Sequence, residues 1–191
     1  MTNTRLNRQS LRQSLRQARR QLSPQQQNQA AQALLEQTLQ SPWLQTAKRV
    51  ALYLANDGEI SPHLICEYCW QHKITTYLPV VQDKHLEFAL YKANSLWQNN
   101  RFGIAEPKTS EYVKPDELDL IFMPLVGFDA QGGRLGMGGG FYDRSFAHKK
   151  SQQKPLLIGL AHDCQQVEKL PLEDWDVPLE GILSPSQSIQ I

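Results

Sequence analysis

Six of the chain's eleven glycines fall within the twelve residues GGRLGMGGGFYD, 132–143. Glycine loses more conformational freedom on ordering than any other residue, so such a concentration suits backbone that turns sharply or that something approaches closely. The run before it, LDLIFMPLV (118–126), is apolar and of strand length, and the FYDRSFA that ends it has helical character. A buried strand feeding a glycine-rich turn and then a helix belongs to an α/β sheet, where ligands sit at the carboxyl ends of strands.

The rest of the chain agrees with that unit. Residues 6–21 have a helix-like composition, and Arg5, Arg8, Arg12, Arg16 and Arg19 recur at spacings of three and four, along one helical face. Leu22-Ser23-Pro24 breaks and restarts the helix, with Ser23 as N-cap and Pro24 in the first helical position, leading into a Gln/Ala/Leu helix that runs to about residue 40. RVALYLA (49–55), ITTYLPV (74–80), LEFALYK (86–92), LLIGLA (156–161) and GILSP (181–185) read as further strands. NDGE reads as a turn, and Ser61-Pro62 starts a helix that reaches about residue 72. The expected fold class is α/β: a single three-layer domain over 1–191, with a mainly parallel, partly mixed sheet flanked by helices and an N-terminal helical pair over 5–40.

At 191 residues and 40% hydrophobic content the chain can bury a real core. It holds no apolar run near the roughly 18 residues of a membrane span and its first residues lack the apolar stretch of a signal peptide, so a cytoplasmic location is expected. Three cysteines do not make a disulfide framework. His63, Cys66, Cys69 and His72 have the look of a zinc site, but on a helix the outer pair would lie about 13.5 Å apart along the axis, too far to share one tetrahedral ion. Cys66 and Cys69 are expected in or near the core, and the four tryptophans as packing residues.

The glycine loop is neither of two familiar phosphate loops. G-x-x-x-x-G-K-[ST] fails because Gly139 and Gly140 stand where lysine and a hydroxyl are needed, and G-x-G-x-x-G fails at Phe141 and at Asp143. What remains is a set of backbone N–H groups at a helix start, with Arg134 adding charge: an anion site of another kind. Asp143 either caps that helix or holds Mg²⁺ beside phosphates, and spacing alone leaves both open. The six arginines that precede the first acid, Glu36, could neutralise nucleic-acid phosphates, but no stacking aromatic occurs before Trp43. Beside the glycine loop, nucleotide phosphate binding is favoured.

The run DLIFMPLVGFDAQGGRLGMGGGFYDR (119–144) resembles the 5-formyltetrahydrofolate cyclo-ligase family, as do the basic-x-x-Leu-Arg segment at 8–12, Arg-Arg-x-Leu-Ser at 19–23, Glu59 after the first strand, and PLEDWDVPLEGIL at 171–183. The resemblance implies closure of 5-formyltetrahydrofolate to 5,10-methenyltetrahydrofolate with ATP and Mg²⁺, releasing ADP and phosphate. ATP would phosphorylate the formyl oxygen, and N10 would attack the activated carbon. By the same resemblance Arg8, Gln9, Ser10, Leu11 and Arg12 contact the nucleotide, together with Arg134, Leu135, Gly136, Met137, Gly138, Gly139, Gly140, Phe141 and Tyr142. Arg134 and Tyr142 take the catalytic roles. Leu54, Glu59 and Phe102, with loop residues 137–141, contact the folate, and Asp143 and Asp176 ligate Mg²⁺. The implied partner is the folate, with or without a polyglutamate tail; no nucleic acid, membrane or second subunit is expected.

Two departures matter. Arg8 stands where many relatives carry lysine, exchanging a point donor for a planar fork. Met137 and Gly139 occupy loop positions that can be basic in relatives, which puts more weight on Arg134 and the N-terminal arginines.

Overall fold

Ser23 and Pro24 divide the N-terminal region in two. A computed structural model of the chain describes residues 2–99, 105–150 and 153–191, with backbone alone over 2–6; Phe102 lies outside the described residues. Helix α1 (Thr2–Arg20) ends before Ser23, and α2 (Pro24–Gln40) opens on a reciprocal cap in which Ser23 Oγ accepts the Gln26 N–H and the Gln26 side chain accepts the Ser23 N–H. The chain continues through β1 (Arg49–Ala51), α3 (His63–Gln71), β2 (Thr75–Gln82), β3 (His85–Tyr91), β4 (Trp97–Asn99), β5 (Ala105–Pro107) and β6 (Tyr112–Val113). It ends with β7 (Leu120–Pro124), β8 (Gly127–Phe128), β9 (Arg134–Leu135), α4 (Phe141–Ser145), β10 (Leu156–Leu160), β11 (Gly181–Leu183) and β12 (Ser188–Gln190).

Eight strands form one sheet in the order β12-β11-β10-β7-β1-β2-β3-β6. The five from β11 to β2 are parallel, while β12, β3 and β6 add antiparallel edges, so the sheet is mainly parallel and partly mixed as expected. Strands buried on both faces read as continuous apolar runs. In β7, Leu120 and Phe122 point with Val50, Leu52, Ile158 and Leu160 into the core beneath α2 and α3, whereas Ile121 and Met123 join Leu157, Phe128, Val177 and Ile182 on the other face. Cys66 and Cys69 lie in the first of these layers, where burial pushes both thiols up to about 12. His63 turns instead to Glu67 and His72 stacks on Tyr68, so the helix separates the four residues as its geometry requires.

The strand order sets the place of the site. From β1 the chain crosses through α3 to β2 on one side, then returns to the other side of β1 as β7, with β10 and β11 beyond it. At such a reversal the loops after the two central strands diverge and leave a crevice at their carboxyl ends. Those loops are residues 52–59 and the glycine loop. Helix α1 covers this end of the sheet, with Leu11 and Leu15 packed against Val126, Leu135 and Leu170.

The structure departs from the sequence reading in short elements. The 49–55 strand pairs only over its first three residues, because the backbone then leaves the ladder for the turn closed by the Glu59 N–H on Asn56 O. The β4–β5 and β8–β9 hairpins and the edge strand β12 were not foreseen, since two or three residues carry no period to detect.

Candidate active site

The glycine run serves two purposes. Its first half is a tight hairpin, β8 to β9, whose turn is tied by Asp129: the carboxylate accepts the N–H groups of Gln131, Gly133 and Leu170. Its second half faces the crevice. Gly138 and Gly140 have φ of 96° and 64°, a conformation that L side chains rarely adopt. Two arginines take the loop's carbonyls, Arg12 Nε on Gly136 O and Arg144 Nη2 on Gly139 O, both at 2.8 Å. Among the described residues, the N–H groups of Gly138, Gly139 and Gly140 donate to no protein acceptor. Consecutive unbonded N–H groups around a concave backbone are a ready anion site.

Asp143 does not cap α4. Gly140 occupies the cap without any side-chain bond, and the Asp143 carboxylate instead accepts from Arg134 Nη2 and from the Val177 N–H. Arg134 is 6% exposed and also donates from Nε to Val177 O at 2.9 Å. One residue away, Arg8 meets Asp176 as a two-pronged pair, at 2.6 and 3.0 Å. Burial pushes the Asp176 carboxyl up, but the Arg8 hydrogen bonds and the Glu173 N–H outweigh it and hold the group below the usual carboxylate range. Asp143 and Asp176, which the sequence could not place together, thus flank Val177 and line one cavity of about 750 Å³. Arg8, Arg134, Tyr142 and the 136–140 loop share its polar side, and Pro79, Val81 and Leu86 contribute to its apolar wall. Burial keeps the Tyr142 phenol protonated well above its ordinary range.

The turn after β1 lies beside Tyr142, outside the lining of that cavity. Glu59 accepts the Asn56 N–H, and burial raises its carboxyl above the ordinary value. The Tyr53 hydroxyl donates to Ile60 O at 2.7 Å and pins the turn from beneath. Leu54 is 44% exposed and Met137 52%, two apolar side chains turned outward near the strand ends.

The arginine stripe divides. Arg8 and Arg12 reach the glycine loop and its neighbours as expected, but Arg16, Arg19 and Arg20 all converge on Asp57. From position 8 to position 20 a helix rises about 18 Å, too far for one loop to meet. Gln9 and Ser10 are exposed, and Leu11 supports the docking of α1.

Three residues at this end of the sheet were missed or misread. Asp57 looked like an ordinary turn acid. Trp175, expected to be packing, is 68% exposed at the cavity rim. His162 is buried beside the Gly58 backbone and Arg19, and its Nε2 has no partner among the described residues. Burial pushes that imidazole from 6.5 down to about 4. Since the folded value lies below the unfolded one, its contribution is complete above about pH 6.5 and is lost as pH falls toward 4, by roughly 3 kcal/mol in all. Melts across that window should show the loss, and His162→Gln should flatten it.

A model of the 5-formyltetrahydrofolate cyclo-ligase family matches residues 4–185. The chain is 46% identical over 168 residues to the 5-formyltetrahydrofolate cyclo-ligase of Haemophilus influenzae, covering 85% of this chain and 89% of the relative. It is 40% identical over 174 residues to the protein of the same name from Escherichia coli, covering 87% and 93%. Among solved structures it is similar to the 5,10-methenyltetrahydrofolate synthetase of Aquifex aeolicus, with a TM-score of 0.83 at 27% identity over 96% of this chain and 92% of that one.

Proposed function

The chain belongs to the 5-formyltetrahydrofolate cyclo-ligase family, and on that premise we propose that it closes 5-formyltetrahydrofolate to 5,10-methenyltetrahydrofolate with ATP and Mg²⁺, as a single-domain cytoplasmic monomer. The observation that carries this reading is the meeting of two carboxylates, two arginine forks and unbonded loop N–H groups in one cavity at the reversal of strand order.

A formyl amide is a weak electrophile, so its oxygen must first become a leaving group. Transfer of the γ-phosphoryl group to that oxygen breaks the bond to ADP; N10 then bonds to the formyl carbon and releases its proton, the carbon–oxygen bond breaks and phosphate departs. Such a transfer depends on positioning and on charge stabilisation rather than on a protein nucleophile. The donor set fits: Mg²⁺ is commonly held by one or two carboxylates together with phosphate oxygens, which matches Asp143 and Asp176, and when bound it would neutralise charge on the phosphates. Arg8 and Arg134 present planar forks suited to paired oxygens, so phosphates are acceptors of the same kind as the carboxylates they now hold. Tyr142, held protonated, donates a hydrogen bond to developing negative charge. The N–H groups of residues 138–140 cradle phosphate, with Arg12 fixing the loop. Leu54, Met137 and Trp175 offer apolar faces to the folate rings, and Glu59 an acceptor for ring N–H groups. The polyglutamate tail, where present, would extend outward from the crevice.

Methenyl product followed by absorbance, with ADP measured in parallel, tests the proposal. Both should appear together and only when ATP, Mg²⁺ and 5-formyltetrahydrofolate are all present. Well-folded protein that makes neither product would overturn it. Arg12→Ala, which frees Gly136 O and loosens the loop, should raise KM for ATP by about tenfold or more while the folate KM moves far less, as loss of uniform binding predicts.

A further inference from the structure

Arg19 has no solvent exposure at all, and the chemistry above gives it no part. A guanidinium leaves water only where its donors are matched. Here Nε donates to Asp57 O at 2.9 Å, Nη1 to Leu125 O at 3.1 Å and Nη2 to Asp57 Oδ2 at 2.9 Å. Nη2 also lies 3.6 Å from Glu59 Oε1 and 4.0 Å from Met137 Sδ. One planar group therefore joins α1 to the turn after β1, to the end of β7 and to the glycine loop. Neutralising Asp57 does not require it, because Arg16 and Arg20 already bind that carboxylate.

We infer that Arg19 is a positioning residue for the folate side of the reaction: it keeps the Glu59 carboxylate charged and in place, ready to accept the paired N–H groups of the substrate's pyrimidinone ring. The inference rests on the reading above that Glu59 meets the substrate. Glu59 is faced by Arg16 and Arg19 from α1, by Asp57 and the Asn56 N–H on its own turn, by Tyr53 after β1 and by Tyr142 from α4; His162, after β10, faces Arg19. Burial and Asp57 favour the protonated acid, whereas the Asn56 N–H, Arg19 and Arg16 favour the carboxylate. Of the two arginines Arg19 acts on Glu59 more strongly and from 3.6 Å, so it is the cation whose removal would tip the balance. A neutral acid presents one acceptor fewer and a hydroxyl donor in its place, a mismatch for two N–H groups.

The test is KM for each substrate from about pH 5.5 to about 8.5, in wild type, Arg19→Gln, Arg19→Lys and Glu59→Gln. Wild type should keep its folate KM within about twofold down to pH 6, while in Arg19→Gln it should climb about fivefold as pH falls from 7 to 6. KM for ATP should stay within about threefold in both. Arg19→Lys restores the charge without the fork, so its folate KM should be pH-independent but raised about fivefold. Glu59→Gln should give a high, flat folate KM that Arg19→Gln does not raise further. A flat profile in Arg19→Gln, or KM for ATP rising in step with that for folate, would overturn the inference. Should Arg19→Gln fail to fold by circular dichroism, Arg19→Lys decides, and an unchanged folate KM there would overturn it equally. Wild-type protein without turnover would remove the cyclo-ligase reading first, and the inference with it.

Discussion

Asp143→Ala is expected to lower turnover in saturating Mg²⁺ by about a thousandfold or more, equivalent to roughly 4 kcal/mol of transition-state stabilisation. The carboxylate is one of only two among the proposed metal ligands, and it also holds Arg134, a nearly buried cation, in a fixed direction. Truncation therefore removes a ligand and strands a charge, and breaking a buried pair from one side destabilises by about 3–5 kcal/mol. Asp143→Asn separates the two effects. An amide oxygen can still accept from Arg134 and from the Val177 N–H, so the melting temperature should fall by only a few degrees while activity falls as far. Turnover, Mg²⁺ titration and thermal melting of both variants make the measurement. If either keeps activity within about tenfold of wild type, Asp143 does not bind the metal.

Phe122→Ala is expected to cost about 3–5 kcal/mol of stability, a large share of the 5–15 kcal/mol that a domain usually has. Phe122 sits fully buried in β7, between β1 and β10, with neighbours on both that cannot close over the space. For a chain of this length the melting temperature should drop by roughly 10 °C. KM for ATP in the folded fraction should move little, because the side chain points away from the loops proposed to bind it. Chemical denaturation gives the number, and a loss below about 1 kcal/mol would mean that this layer is not packed as described.

Much of this protein was legible from the chain alone wherever an interaction spans a few residues. Ser23 and Pro24 announce a helix start because the cap is made among four neighbours, to which the structure adds Gln26. LDLIFMPLV announces a buried strand because both of its faces are covered, and the spacing of His63, Cys66, Cys69 and His72 excludes a shared metal once a helix is assumed. The reading of the glycine loop as an anion site came from its composition and its place after that strand, although composition alone did not show that Gly132 and Gly133 serve the Asp129 turn while residues 136–140 face the crevice.

Only the tertiary structure decided the rest. Arg8 finds Asp176 across 168 positions, and Asp143 meets the Val177 backbone across 34, because β1 and β7 lie side by side and α1 covers their carboxyl ends. The same packing gathers three arginines on Asp57, leaves His162 Nε2 without a partner among the described residues and turns Trp175 to the solvent. Hydrophobic period and capping chemistry are local and can be read along the chain. Which charge answers which depends on strand order and on where a helix docks, and those are settled by the burial of whole faces rather than by any neighbour in sequence.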